Sequence, residues 1–189
     1  MTTERAYHHG DLRRALLTAA LDVIATEGPT ALSLRDLARR AGVSHAAPAH
    51  HFKDRAGLLT AIAAEGHDLL LTALAEAEDL RDLGARYVHF ATSHPAHFQI
   101  MFRPELLRPD DPELLAARER TRSRLRTAVE GHGNDPAIGF VAAWSLAHGF
   151  ATLLLSRNLD GPLEGRDPDE AFRAMASEMF RPAEPPATG

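Results

Sequence analysis

Residues 33–52 read S-L-R-D-L-A-R-R-A-G-V-S-H-A-A-P-A-H-H-F and predict two short helices. Ser33 followed three residues later by Asp36 has the spacing of a capping box, so the first helix is expected to begin at Leu34. Apolar residues recur in it at steps of three and four, which predicts one face docked on a core. These residues are Leu34, Leu37, Ala38 and Ala41.

The second half of this segment predicts a tight turn and another helix. Gly42 suits the left-handed backbone that ends a helix. Ser44 is expected to cap a second helix that reaches His51. Pro48 would then be the fourth helical residue, where a proline costs only the first intrahelical bond. Two short helices across such a turn predict a helix-turn-helix.

The second helix carries small and polar residues at its exposed end. His45, Ala46 and Ala49 are followed by His50 and His51. A slim helix with polar tips fits the major groove of DNA, which is about 12 Å wide. The alternative is an ordinary helical hairpin inside an all-helical protein.

Three segments together resemble the DNA-binding domain of the TetR/AcrR regulators. They are residues 7–13 (YHHGDLR), 33–52 and 52–59 (FKDRAGLL). Residues 87–102 (YVHFATSHPAHFQIMF) and 144–149 (WSLAHG) resemble the WHG-type ligand-binding domain of one branch of that family.

This resemblance implies a function for the whole chain. It implies an all-α homodimeric transcriptional regulator, usually a repressor, that binds a palindromic DNA operator and leaves it when a small molecule binds the C-terminal domain. It also implies that the last two helices pair with those of a second copy. No cofactor, metal site or catalytic residue is expected, and the protein is not expected to be an enzyme.

The resemblance also implies which residues contact DNA. They are Ser33, Arg35, Ser44, His45, Ala46, Ala49, His50, His51, Lys53 and Arg55. Two positions depart from the family pattern. Ala49 stands where the family usually has a tyrosine that touches the DNA backbone, and Arg55 where it more often has a lysine. Arg55 keeps the phosphate-binding charge, whereas Ala49 keeps neither ring nor hydroxyl.

The rest of the chain is predicted to be helical. A polar arm over residues 1–7 precedes a helix capped by Asp11 and ended by Gly28. A helix of about 25 residues from Asp54 is expected to act as a strut, at about 1.5 Å per residue. Asp-Pro pairs at 135–136 and 167–168 predict the starts of the last two helices. Residues 131–134 are expected to be a flexible break.

These elements predict a division of the chain. Residues 1–53 would form the three-helix DNA-binding domain, 54–180 a helical ligand-binding and dimerisation domain, and 181–189 a disordered, proline-rich tail. The helix from Ile138 to Leu155 is apolar nearly all round, so it is expected to be buried on more than one side. We expect Val141 and Trp144 to face inward, and Leu146 and Phe150 to face a partner subunit.

Aromatic residues and one histidine predict a ligand pocket in the C-terminal part. Proline at position 95 breaks the helical pattern, so the walls on either side should meet at an angle. The residues predicted to line the pocket are Tyr87, Phe90, Phe98, Met101, Phe102, Trp144 and His148. Such walls suit a mostly apolar ligand with one polar group. The alternative is that Trp144 packs in a solid core and His148 satisfies a buried carbonyl.

Composition narrows the possible classes. The chain has 189 residues and no cysteine, which excludes disulfides, thiolate metal sites and cysteine nucleophiles. The net charge is −5, yet up to Thr60 eight Lys and Arg stand against six Asp and Glu. We expect no membrane span, because no apolar run approaches roughly 20 residues. The expected location is cytoplasmic.

Two other functions remain open. A metal- or pH-responsive regulator on the same fold would use the histidines, although Pro95 separates His94 from His97. A small helical enzyme would use His148 with a carboxylate as acid and base. The sequence contains no glycine-rich phosphate loop, nucleophile elbow or carboxylate-histidine metal motif.

Overall fold

The computed structural model describes residues 3–130 and 135–179, with side chains from residue 12 onward. Throughout these residues the regular structure is helical, and no strand occurs in them. The helices are α1 (Thr3–Glu27), α2 (Leu34–Arg40), α3 (Ala47–Phe52), α4 (Arg55–Leu74), α5 (Leu80–Ser93), α6 (Pro95–Met101), α7 (Pro112–Val129), α8 (Pro136–Leu155) and α9 (Pro168–Met179). The all-α class predicted from the sequence is confirmed.

Helix α2 begins at Leu34, as predicted, but the predicted capping box does not form. Ser33 makes no side-chain capping hydrogen bond. The carboxylate of Asp36 instead accepts from Arg39 at 2.7 Å and from Arg40 at 2.6 Å. Two arginines one turn later offer charged donors, which outcompete the backbone N–H that the capping box would have used.

The turn after α2 is as predicted, but α3 begins later than the sequence suggested. Gly42 has φ of 65°, in the left-handed region. Ser44 does not cap the helix, since its carbonyl accepts a turn hydrogen bond from Ala47 at 3.0 Å. Pro48 is therefore the second residue of α3 rather than the fourth. At that position its missing N–H costs no intrahelical bond, which explains the later start.

Helix α1 begins much earlier than predicted. It starts at Thr3, so the predicted arm over 1–7 is largely helical and Asp11 lies inside the helix rather than at its cap. Gly10 lowers helix propensity by only about 1 kcal/mol relative to alanine, too little to end a helix that is packed elsewhere. Its buried face includes Leu16, Ala20 and Val23.

The chain forms two compact units. The first comprises Met1–Leu69 and His94–Thr121, and the second comprises Leu70–Ser93 and Arg122–Gly189. Helix α4 has 20 residues, shorter than the strut that was expected. The core of the first unit contains buried residues of α1 to α4 and of α6 and α7.

In the second unit, α5 packs against α8 and α9. Gly84 makes the contact with α9 possible, because a Cβ at this position would overlap the ring of Phe172. Phe172 in turn lies edge-on against Phe150, with ring centroids 5.4 Å apart. Asp82 on α5 accepts from Arg173 on α9 at 2.6 Å. Apolar packing and an ion pair therefore hold α5 and α9 together.

The predicted starts of the last two helices are confirmed. Asp135 accepts from the N–H groups of Ala137 and Ile138, at 2.9 and 3.3 Å. Asp167 accepts in the same way from Asp169 and Glu170, both at 3.0 Å. The predicted break at 131–134 and the predicted tail at 181–189 lie outside the described residues.

The faces of α8 differ from those predicted. Phe150 is buried and Leu146 half-buried, although both were expected to face a partner, whereas Val141 and Trp144, expected to face inward, are 53% and 37% exposed. A helix that is apolar all round offers no contrast between its faces, so only the packing of α5 and α9 decides which residues are covered.

Two helices contradict the expectation that no apolar run approaches the length of a membrane span. By length and composition alone, α4 and α8 could each cross a membrane, with mean hydropathies of 1.2 and 1.7. Just over half of the α4 window is buried, as in the core helix of a soluble protein. One or two such helices are weak grounds for a membrane protein.

Candidate functional site

The exposed surface of the helix-turn-helix contains most of the residues predicted to contact DNA. Pro48 and Phe52 are buried and anchor α3 on the first unit. His51 and Arg55 are half-buried. The other predicted residues are exposed: Ser33, Arg35, Ser44, His45, Ala46, Ala49, His50 and Lys53. The structure thus brings the polar tips of α3 together on one accessible surface.

Two small residues leave the accessible side of α3 slim. Ala46 and Ala49 present only methyl groups, while the rings of His50 and His51 meet edge-on with centroids 5.6 Å apart. The helix ends at Phe52, and the next residue, Lys53, has φ of 67° and donates its N–H to the carbonyl of Ala49 at 2.8 Å. A helix of this profile can approach the base edges of a major groove closely.

Arg55 has a structural contact that the sequence did not reveal. Its Nη2 donates to the carbonyl of Pro29 at 2.6 Å, which ties the start of α4 to the turn after α1. Its Nε is buried without a hydrogen bond to any described group. Only part of the guanidinium is therefore available to a phosphate.

Arg108 is a residue that the sequence did not single out. Its Nη2 donates to Asp54 at 2.8 Å, and its backbone N–H donates to the hydroxyl of Thr60 at 2.9 Å. Asp54 also accepts from the N–H of Gly57, and this bond together with Arg108 lowers the pKa of Asp54 below its ordinary value. The segment after α6 is thereby fastened to the first turn of α4, directly after α3. In the sequence, nothing apart from its charge pointed to a role for Arg108.

In the second unit, Tyr87, Trp144 and His148 form a hydrogen-bonded cluster. The indole Nε1 of Trp144 donates to the Tyr87 hydroxyl oxygen at 3.3 Å. The same hydroxyl lies 2.9 Å from Nδ1 of His148. Because an indole N–H only donates, the phenol oxygen accepts there and its own proton is available to Nδ1. This direction corresponds to a neutral His148 that carries its proton on Nε2.

Burial makes both ionisable members of this cluster favour their neutral forms. Desolvation raises the pKa of Tyr87 well above its ordinary value, although the bond from Trp144 opposes the shift. Desolvation also lowers the pKa of His148. Near neutral pH the cluster is therefore an uncharged network of one donor, one hydroxyl and one imidazole.

An apolar pocket adjoins this cluster. Its lining comes from α5, α7, α8 and α9 and contains no charged side chain. The lining residues are Leu80, Leu83, Gly84, Tyr87, Leu125, Val129, Phe140, Ala143, Trp144, Leu146, Ala147, Phe172 and Ala176. The free space inside is about 20 Å³, enough for about one water molecule. The sequence missed Phe140 and Phe172, whose apolar character alone does not distinguish a pocket wall from core.

The structure separates the seven residues predicted to line one pocket into groups. Tyr87 and Trp144 line the pocket of the second unit, and His148 is bonded to Tyr87. Phe90 is buried in that unit as well. The remaining three, Phe98, Met101 and Phe102, belong to the first unit. A single pocket formed by all seven stays a prediction.

Several solved structures share this fold. A protein of unknown function from Rhodococcus sp. RHA1 is 34% identical, with a TM-score of 0.74 over 92% of this chain and 95% of that one. The TetR-family regulator PfmR from Thermus thermophilus is 23% identical, with a TM-score of 0.68 over 90% and 99% of the two chains. AibR, solved with isovaleryl coenzyme A and operator DNA, is 20% identical, with a TM-score of 0.66 over 90% and 99%.

Family models cover most of the chain, although no curated protein matches it. Residues 16–62 match the model described as bacterial regulatory proteins, tetR family. Residues 80–179 match the model described as tetracyclin repressor-like, C-terminal domain. The first match spans the helix-turn-helix and the second spans α5 to α9. The chain therefore belongs to the TetR family of bacterial regulatory proteins.

Proposed function

We propose that this protein is a transcriptional repressor that binds a palindromic operator as a homodimer and is released by a small, mostly apolar ligand. The observation that carries the proposal is the slim, exposed face of α3, anchored by buried Pro48 and Phe52. Such a helix fits a major groove, and the surrounding cations would position it on the phosphates. We place this activity in the cytoplasm, without a membrane and without catalysis.

Two copies are needed because one helix-turn-helix domain covers too few base pairs for a specific site. The exposed face of α8 supports a homodimer through α8 and α9. Ile138 is 65% exposed, Val141 53% and Leu153 45%, and these apolar side chains share a face with Gly149. A second copy of the same face would remove this apolar surface from water.

The dimer can be tested at Gly149. A Cβ there would meet nothing within 4 Å in the single chain, so a leucine at this position fits one subunit but would obstruct the close approach of another helix. We expect Gly149→Leu to shift the protein toward monomer in sedimentation at micromolar concentration. Gly161→Leu, in equally open space, is the control. A parent that is monomeric under these conditions would contradict the proposed dimer.

The Tyr87, Trp144 and His148 cluster supports the ligand part of the proposal. Trp144, His148 and Gly149 also match the WHG pattern, and we assign the C-terminal part to that type. Since no charged side chain lines the adjoining pocket, its ligand should be uncharged there and apolar, with one polar group for the cluster. AibR, in complex with both an acyl coenzyme A and operator DNA, is a precedent for two ligands on this fold.

The small free space suggests how a ligand would act. Small-molecule pockets usually enclose roughly 300–1,000 Å³, far more than the 20 Å³ found here. A ligand must therefore move the rings of Phe140, Trp144 or Phe172 apart. A ligand that binds this opened form better than the closed one would favour it, and would release DNA if only the closed form fits the operator.

One experiment tests operator binding and ligand release together. Gel shifts would use the DNA upstream of the protein's own gene, with a set of small apolar compounds, while the fluorescence of Trp144 is recorded. We expect compounds that release the DNA to change the emission of Trp144 and to bind His148→Ala more weakly. Release without any change in emission, and with parental affinity in His148→Ala, would place the ligand elsewhere.

A further inference from the structure

A polar cavity of about 240 Å³ lies in the first unit, beside the end of α3. Three cationic side chains from separate segments line it: Arg13 of α1, Lys53 after α3, and Arg108 before α7. His51 lines it as well. The three cations are far apart in the sequence, so the fold itself gathers the charges.

Two of these cations differ from the third in their ion pairing. Neither Arg13 nor Lys53 makes an ion pair with any described side chain, whereas Arg108 is paired with Asp54 at 2.8 Å. The guanidinium of Arg13 lies 5.5 Å from the centre of the Phe52 ring, which holds it over the buried end of α3. Arg13 and Lys53 both line the same cavity, where an anion would be attracted to each of them.

The cavity also has two carboxylates, Asp111 and Glu113. Asp111 is occupied by the start of α7, because its Oδ1 accepts from the N–H groups of Glu113 and Leu114, both at 3.1 Å. Glu113 is exposed to solvent. Among the lining residues three cations stand against two carboxylates, and Arg108 is already paired with Asp54, so Arg13 and Lys53 are the two cations that remain for an anion.

We propose that this cavity binds a phosphate group, with Arg13 and Lys53 as its ligands and Arg108 as the residue that positions the cavity wall. Its volume accommodates a tetrahedral oxyanion, and guanidinium and ammonium groups are the usual phosphate donors of proteins. The phosphate belongs either to the backbone of bound DNA or to a free phosphorylated small molecule. The first source rests on the proposed function, whereas the second does not.

The test compares neighbouring arginines of α1. Arg13→Gln removes a cation that lines the cavity, and Arg14→Gln removes one that does not. Affinity for duplex DNA from upstream of the gene is measured over a series of salt concentrations. Each phosphate contact contributes about −0.9 to the slope of log affinity against log salt concentration. A DNA phosphate in the cavity predicts a slope shallower by about one for Arg13→Gln and unchanged for Arg14→Gln.

The second arm titrates inorganic phosphate into the DNA-free protein in a phosphate-free buffer and records the heat. A free phosphorylated ligand predicts saturable heat in the parent and in Arg14→Gln that is lost in Arg13→Gln. Lys53→Gln is measured in both arms, since Lys53 is exposed and its loss does not disturb the packing on Phe52.

The outcomes separate the possibilities. A change of slope without phosphate heat assigns the DNA backbone, and heat without a change of slope assigns a free ligand. The proposal is overturned if neither arm distinguishes Arg13→Gln and Lys53→Gln from the parent, or if Arg14→Gln behaves like Arg13→Gln. Failure of the parent to bind any duplex would contradict the proposed function, and the phosphate titration would still decide on the cavity.

Discussion

Nη2 of Arg173 lies 2.6 Å from Oδ1 of Asp82, and this bond joins α9 to the helix that carries Tyr87. The other oxygen of Asp82 accepts from Arg86 at 2.8 Å. Burial alone would raise the pKa of Asp82, but the hydrogen bonds from Arg86, Arg173 and the backbone of Glu78 lower it from 3.8 to about 2. The side chain of Asp82 is only 13% exposed, whereas those of Arg86 and Arg173 are 36% and 48% exposed, so solvent screens these bonds from the arginine side.

We predict that Asp82→Asn lowers the free energy of unfolding by about 2 kcal/mol at neutral pH, from the size of the pKa shift. The folded pKa is depressed, so this contribution is present above pH 4 and is lost as the pH falls toward 2. Urea unfolding at pH 7 and pH 3 measures both values. Asp160→Asn, in an exposed pair with Arg157, is the control and should cost much less. Equal losses for the two variants would contradict the prediction.

Gly57→Ala is predicted to weaken DNA binding by displacing the end of α3. A Cβ at Gly57 would overlap the carbonyl oxygen of Phe52 and would lie 3.0 Å from Nη1 of Arg108. The end of α3 must then move, at a cost of about 1–3 kcal/mol typical of overpacking. Thermal unfolding and gel shifts should both register the change. Gly161→Ala, in open space, should leave both unchanged, and a Gly57→Ala variant of parental affinity would show that α3 tolerates the shift.

The aspartate-proline starts of α8 and α9 could be predicted because the capping carboxylate and its N–H donors lie within three residues of each other. The predicted caps at Ser33 and Ser44 were wrong because of residues that are equally close in the sequence. Arginines next to Asp36 and a proline early in α3 offered better local solutions. Local sequence therefore located these helices but not every hydrogen bond at their ends.

Contacts between distant segments could not be predicted. Arg55 meets Pro29 and Arg108 meets Asp54 across 26 and 54 residues, and no spacing rule connects them. The prediction of which faces of α8 are buried was wrong for a different reason. A helix that is apolar on all sides has no periodic pattern that marks the buried side. Tyr87, Trp144 and His148 were all predicted as ligand residues, but their mutual bonds depend on how α5 and α8 pack.

Two histidines make stability depend on pH near neutrality. Burial lowers the pKa of His97, against the opposing effect of Glu65 at 3.3 Å, and burial also lowers that of His148. Both folded pKa values lie below the ordinary 6.5, so the unfolded chain takes up protons first as the pH falls. The free energy of unfolding should therefore be constant above about pH 7 and decrease below pH 6.5.

This decrease can be assigned by substitution. His97→Gln and His148→Gln should each remove part of the slope of stability against pH in that range. His45 is exposed and belongs to the residues predicted to contact DNA, so His45→Gln should leave the slope of stability against pH unchanged. A slope that survives both buried substitutions would assign the proton uptake to other groups.

Ala49→Tyr is predicted to strengthen operator binding. Ala49 is exposed on α3 beside His50, at the position where related regulators usually have a tyrosine that contacts the DNA backbone. The added hydroxyl would gain one hydrogen bond to a phosphate, worth about 1 kcal/mol, or roughly a fivefold lower dissociation constant. Ala49→Phe supplies the ring without the hydroxyl, so the gain should be absent from it. Affinity measured by gel shift at fixed salt concentration separates the two. If Ala49→Tyr binds more weakly than the parent, the ring competes with His50 for the space at the phosphate, and the parent already makes its backbone contact through that histidine.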